Sequence, residues 1–316
     1  MIDALSKATF SALADSAQLR KLASRYGMRG PHSFARRFVA GETTDEAVAA
    51  ARRLEAEGMM VTLDHLGERV SSRAAATAAT RDYMAIVTAA AEAGVSRNLS
   101  VKLTQLGLDI DRATSVDNIR RVLDVATRND FFLRIDMEGS VYTQQTFDTF
   151  ATLWSMGFRN IGMVIQSYLR RSAADVAHLN SLGTRVRLVK GAYRESKDVA
   201  FQKKEEVDQS YIQLMEQLLT HGHYPAIATH DPVMIEHAQK FASARGLAAG
   251  AFEFQMLYGV RRDLQRTLVA AGHPFRVYVP FGNDWFAYFM RRLGERPANV
   301  GFVARSLVRE DRSIGT

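Results

Sequence analysis

The feature that most limits what this chain can become is a repeated alternation. Eight short runs rich in β-branched and aromatic residues recur along it: Met59–Asp64, Leu99–Thr104, Phe131–Met137, Ile161–Ser167, Arg185–Lys190, Ala226–Thr229, Ala251–Gln255 and Phe275–Pro280. Helical patterns lie between them, many closed by glycine at Gly94, Gly157, Gly183, Gly246 and Gly272. Strands alternating with helices predict βαβ units and a parallel sheet. Eight such units favour an α/β fold of the closed (β/α)8 TIM type over an open, doubly wound sheet. Such a barrel takes about 250 residues, and the chain has 316.

The surplus divides the chain into an N-terminal helical extension, 1–55, and a barrel over 56–316. Residues 2–26 read as an amphipathic helix ending near Gly27 and Gly30-Pro31. A second helix over 43–57 carries capping-box spacing at Thr43 and Glu46 and a stop at Gly58. A long charged helix is expected over 195–220, another over 284–295 after the eighth strand, and a last one over 297–308.

Composition narrows the function. With no cysteine, disulfides, thiolate metal sites and a cysteine nucleophile are excluded. The net charge is +7, but Lys and Arg are interspersed with Asp and Glu, and no nucleic-acid motif is readable. No apolar run reaches bilayer length and no signal-peptide layout opens the chain. The expectation is a cytoplasmic protein, with room for peripheral contact at the inner face of the cell membrane.

In a barrel of this kind the active site lies at the C-terminal ends of the strands. Nearly every strand here ends in polar residues where a purely structural barrel would keep Val, Ile or Leu. Examples are Asp64-His65, Lys102, Asp136, Gln166, Arg187 with Lys190, Thr229-His230, Gln255 and Tyr278. Buried ionisable groups are costly unless paired, and pairing inside the barrel accounts for any one of them. Eight strands doing so together point to a functional interior. Two isolated histidines, His65 and His230, make little of a metal site. Lys102 and Lys190 are each placed to act as a Schiff-base nucleophile, so a cofactor-free lyase stands as the alternative. A non-enzymatic basic module would explain the charge but not the polar strand ends. No Gly-rich nucleotide fingerprint follows a strand.

The segment after strand eight carries more. Tyr288, Arg291, Arg292 and Glu295 fall at i, i+3, i+4 and i+7, on one helix face. Two adjacent guanidinium forks form a carboxylate receptor, and Glu295 is placed to hold one of them. A solvated basic face is the bland alternative.

Taken together, Arg187-Leu188-Val189-Lys190-Gly191-Ala192-Tyr193, Ala228-Thr229-His230-Asp231, Glu253-Phe254-Gln255-Met256-Leu257-Tyr258-Gly259 and Tyr288-Phe289-Met290-Arg291-Arg292 resemble the proline dehydrogenases. The match runs from about residue 55 to the C-terminus and is closest to the short monofunctional bacterial enzymes. The resemblance implies a distorted barrel whose eighth helix covers the strand C-terminal ends. It implies FAD bound non-covalently, hydride transfer from L-proline to flavin N5 giving Δ1-pyrroline-5-carboxylate, and electrons passed to a membrane quinone, with no metal and no nucleic acid involved. By motif, Arg187, Lys102 and Tyr278 would be catalytic. Lys102, Leu257, Tyr278, Tyr288, Arg291, Arg292 and Glu295 would bind substrate. Asp136, Met137, Gln166, Arg187, Lys190, Gly191, Ala192, Tyr193, Thr229, His230 and Gln255 would hold the cofactor.

Overall fold

The computed structural model describes residue 28 and residues 33–295; the helices expected over 2–26 and 297–308 lie outside that range, as does the side chain of Glu295. Eight parallel strands pair in sequence order and close on themselves. They are β1 (Met60–His65), β2 (Asn98–Val101), β3 (Phe132–Ile135), β4 (Ile161–Gln166), β5 (Val186–Val189), β6 (Ala226–Ala228), β7 (Glu253–Leu257) and β8 (Phe275–Phe281). The seam that closes the barrel is also the longest, running from Met60 opposite Arg276 to His65 opposite Phe281.

The two faces of each strand explain why the chain closes this way. One row is apolar throughout: Val61, Leu63, Leu99, Val101, Leu133, Ile135, Val277 and Val279 are completely buried in the main hydrophobic core. Each such side chain contributes about 1.5–3 kcal/mol relative to exposure, so this outer row, packed under the helices, carries the stability. The alternate row is polar: Thr62 and Asp64, Ser100 and Lys102, Arg134 and Asp136, Arg276 and Tyr278. Its members bond across the barrel. The Tyr278 hydroxyl, on β8, donates to Asp136 beyond β3 at 2.7 Å, and Arg187 Nη1, on β5, donates to Ser100 Oγ on β2 at 3.1 Å. Strands that are not neighbours can meet like this only through the interior.

Nine α-helices lie among the described residues: α1 (Thr44–Ala56), α2 (Arg73–Glu92), α3 (Arg112–Arg128), α4 (Ser140–Ser155), α5 (Ser172–Leu182), α6 (Lys204–His221), α7 (Pro232–Ala244), α8 (Arg262–Ala270) and α9 (Trp285–Glu295). The capping box expected at Thr43 and Glu46 is formed, and Gly183 ends α5 in the left-handed region at φ 68°, where a side chain would be strained. α1 packs on β8 and β1, burying Ala47, Ala50 and Ala51. It therefore covers the outer wall that a helix following β8 would otherwise take. That leaves α9 for the strand ends. There its apolar residues Trp285, Phe286, Phe289 and Met290 form a second cluster with Phe38, Val39 and Leu66.

The long helix expected over 195–220 starts later, at Lys204. Residues 190–203 instead form a strap held by cross-chain bonds. Phe201 N donates to Tyr168 O at 2.8 Å and Arg170 N to Val199 O at 3.0 Å. The Glu195 carboxylate sits at the start of α4, accepting from Ser140 N at 2.7 Å and from its hydroxyl. Unsatisfied N–H groups at a helix N-terminus attract a carboxylate, and this tertiary bond outcompetes the local helical pattern. No helix among the described residues is long and apolar enough to cross a membrane.

Candidate active site

A cavity of about 530 Å³ opens at the C-terminal ends of the strands. Its floor is a cluster of alternating charges. Lys102 Nζ, just past β2, donates to Asp64 Oδ1 at 2.6 Å and lies 3.8 Å from Asp136 Oδ2. Burial alone would lower its pKa, but Asp64 and Asp136 outweigh this and raise it well above the usual lysine value. The ammonium is therefore the form favoured at neutral pH. Arg187 binds the other Asp136 oxygen at 2.9 Å through Nη1 and Gln255 Oε1 at 2.6 Å through Nε, and stacks over the Tyr278 ring at 5.2 Å. Burial and the neighbouring carboxylates of Asp136 and Asp64 hold the Tyr278 phenol well above its usual pKa, so it remains a donor.

The wall comes from β4 to β7. Gln166, Lys190, Gly191, Ala192, Tyr193, Thr229, His230 and Leu257 all line it, beside Met137 from the loop after β3. Lys190 Nζ is pinned between Asp208 at 2.5 Å and Asp231 at 3.0 Å. His230 Nε2 accepts from Leu257 N at 3.0 Å, which assigns the proton of a neutral ring to Nδ1. Gly191 has φ 117°, and a Cβ there would lie 2.4 Å from the Tyr168 ring. Two buried polar atoms, the donor Arg187 Nη2 and the acceptor Gln166 Oε1, find no partner among the described residues. A flat heterocycle whose edge carries both donors and acceptors is the kind of group that satisfies such a pair.

The hood is α9. Tyr288, Arg291 and Arg292 line the same cavity as Lys102 and Arg187, so this basic face looks into the barrel mouth. Arg292 is buried at 8% exposure and its guanidinium lies 5.1 Å above the Tyr288 ring. Arg291 Nη2 bonds to Glu68 Oε1 at 2.7 Å and Nη1 to Oε2 at 3.4 Å. Thus the cavity gathers every residue to which the family resemblance gives a role except Glu295, whose side chain is not described, while His65 stays outside it, packed against Tyr83 and Phe281. The carboxylate seen on Arg291 is instead Glu68, from the loop after β1.

Sequence reasoning passed over the site roles of Asp64 and Glu68. Asp64 left a trace, a charge directly after the mostly apolar run Met59–Leu63. Glu68 left none, because its partner stands 223 positions away. Glu138 was also passed over. It is buried beside the cavity and accepts from Thr104 N at 3.2 Å and Thr104 Oγ1 at 2.6 Å. Burial outweighs those two bonds and pushes its carboxyl up from 4.5 to about 7. Within that window the folded chain keeps a proton that the unfolded chain has released, so stability falls as pH rises. Wild type should lose about 2–3 kcal/mol relative to Glu138→Gln between pH 5 and pH 8. Urea unfolding of both proteins at the two pH values checks this, and parallel pH profiles would contradict it.

Comparison with known proteins agrees with this geometry. A family model described as proline dehydrogenase matches residues 47–305. The chain is 40% identical over 313 residues to the proline dehydrogenase of Deinococcus radiodurans, covering 98% of this chain and 100% of that one. It is 39% identical over 301 residues to proline dehydrogenase 2 of Bacillus subtilis, covering 95% and 98%. Among solved structures, proline utilization A from Bdellovibrio bacteriovorus inactivated by N-propargylglycine superposes with a TM-score of 0.77 at 29% identity, over 82% of this chain and 32% of that longer one. With the family model spanning most of the chain and relatives matching it nearly end to end, the chain belongs to the proline dehydrogenase family.

Proposed function

We propose that this enzyme oxidises L-proline to Δ1-pyrroline-5-carboxylate using non-covalently bound FAD, and that the electrons pass on to a membrane quinone. The observation that carries the reading is the meeting, in one cavity, of a guanidinium pair with an unsatisfied buried donor, Arg187 Nη2, and an unsatisfied buried acceptor, Gln166 Oε1. Arg291 and Arg292 bind the proline carboxylate as planar forks, with Lys102 adding positive charge from below. Tyr278, Tyr288 and Leu257 pack on the ring and exclude water. Asp136, Met137, Gln166, Lys190, Gly191, Ala192, Tyr193, Thr229, His230 and Gln255 hold the cofactor, with Arg187 beside the flavin ring. When bound, FAD supplies a two-electron, hydride-accepting centre, and the protein contributes position and electrostatics.

The chain's own residues prepare the substrate. An anchored carboxylate and a packed ring fix the carbon next to nitrogen at one distance and angle. Clustered cations around it favour the neutral amine over the ammonium, which hydride loss from that carbon requires. The Schiff-base alternative fares worse. Lys102 is held protonated by two carboxylates, and Lys190 is clamped by Asp208 and Asp231, so neither offers a free amine to a carbonyl. A quinone acceptor implies contact with a membrane surface, made peripherally.

The purified protein should be yellow, and its visible flavin band should bleach on anaerobic addition of L-proline and return with a soluble quinone analogue. A colourless protein that cannot be loaded with FAD would overturn the reading.

A further inference from the structure

The cavity floor hangs from a line of side chains that continues toward the base of the barrel. Arg276 on β8 grips Glu253 on β7 with two prongs, Nε to Oε1 at 2.8 Å and Nη2 to Oε2 at 3.0 Å. Its third nitrogen donates to Val61 O at 2.9 Å. Glu253 Oε1 accepts from the side-chain amide of Gln255, and Gln255 Oε1 accepts from Arg187 Nε at 2.6 Å. All four side chains are buried. Glu253 itself lies below the cavity and does not line it.

Elementary hydrogen-bond chemistry dictates the order of this line. A carboxylate only accepts and a guanidinium only donates. Gln255 stands between them and satisfies both in one orientation, with its NH2 toward Glu253 and its oxygen toward Arg187. Flipping the amide would set oxygen against carboxylate and NH2 against guanidinium, in a dry interior where such clashes are severe. The Arg276 fork in turn keeps Glu253 ionised against the effect of burial.

We propose that Glu253 is a positioning residue for the oxidation: it locks the Gln255 amide and so aims Arg187 at the cofactor. The inference rests on the reading of the cavity given above, in which Arg187 lies beside the flavin. Without the lock, the hydrogen bonds left to Arg187 are those of Nη1 to Asp136 and Ser100, beside its stacking on the Tyr278 ring. It can then pivot about that one nitrogen. Glu253 touches neither substrate nor cofactor and acts only through Gln255.

The test compares the FAD-loaded wild type with Glu253→Gln and with the swap Glu253→Gln/Gln255→Glu. A glutamine at 253 can offer either face, so the lock is lost. Flavin reduction by L-proline should slow by about 10- to 100-fold, and the midpoint potential should fall, because a displaced cation no longer stabilises the electron-rich flavin. The KM for L-proline should change less than the reduction rate, since the carboxylate site lies on α9. In the swap, a carboxylate at 255 accepts from Arg187 in either orientation while the amide at 253 donates to it, so the reduction rate should recover, while the carboxylate now on the cavity lining keeps the potential below that of wild type. A merely structural role, neutralising Arg276, predicts no recovery, because the swap leaves Arg276 without its carboxylate. Should Glu253→Gln fail to fold, Glu253→Met/Arg276→Met removes the ion pair whole and still frees the amide, and the same slowing is expected. Wild-type rate and potential in the folded single variant or the methionine pair, or a swap whose rate fails to recover, would overturn the inference while leaving the cavity reading intact. A wild type that takes up no flavin would instead sink that reading itself.

Discussion

Replacing Lys102 with methionine is expected to cost the folded protein about 3–5 kcal/mol, because it strands a carboxylate in the barrel interior. Asp64 is completely buried and its one ion-pair partner is Lys102, whose Nζ donates to Oδ1 at 2.6 Å, while Oδ2 has no partner among the described residues. The floor balances two acids, Asp64 and Asp136, against two bases, Lys102 and Arg187, and methionine removes one base while nearly preserving volume. Asp64 should then keep its proton when folded and release it when unfolded. The stability of the variant should therefore fall as pH rises from the ordinary carboxylate range toward neutrality. Asp64→Asn/Lys102→Met removes both charges together and should recover most of the loss, since deleting a buried pair whole is far milder than halving it. Urea midpoints at constant m-value measure all three proteins. A Lys102→Met protein as stable as wild type would show that Asp64 is neutral or hydrated in the native state, contrary to the geometry.

That cluster also shows where sequence reading succeeds and where it stops. The barrel was legible because its outer row repeats a local signal. Val277 and Val279, or Leu133 and Ile135, declare a strand whatever lies elsewhere in the chain. Strand ends moved by only a few residues: β2 stops at Val101 rather than Thr104, where Lys102 leaves the ladder to reach Asp64. The basic face of α9 was legible for the same reason, since Tyr288, Arg291 and Arg292 share a helical period. What stayed hidden was every partner chosen by the closed fold rather than by local spacing. Glu68 reaches Arg291 across the barrel mouth. Glu195 crosses to Ser140 and converts nine residues of expected helix into a strap. Glu253 marks itself only as a second polar residue two positions before Gln255, a pattern equally at home on a solvated strand. Closure alone makes those three residues neighbours of the site.

Arg292→Ala should raise the KM for L-proline by about 100-fold or more, with a smaller change in kcat, because it removes a buried, charge-assisted fork from the bound state. Arg292→Lys should recover only part of that loss. Lysine returns the charge as a single point but not the planar pair of donors, and it surrenders the stacking on the Tyr288 ring. Arg291 should be less sensitive, since its fork is already engaged by Glu68 and both side chains keep over a fifth of their surface in solvent, where charges are screened. The contrast between a carboxylate and a neutral substrate isolates the interaction. Wild type should strongly prefer L-proline over L-prolinamide, and Arg292→Ala should lose most of that preference, because only the carboxylate needs the fork. If the variant weakened both compounds equally, Arg292 would be shaping the cavity rather than reading the carboxylate, and the hood would owe its selectivity to Tyr288 and the rings beneath it.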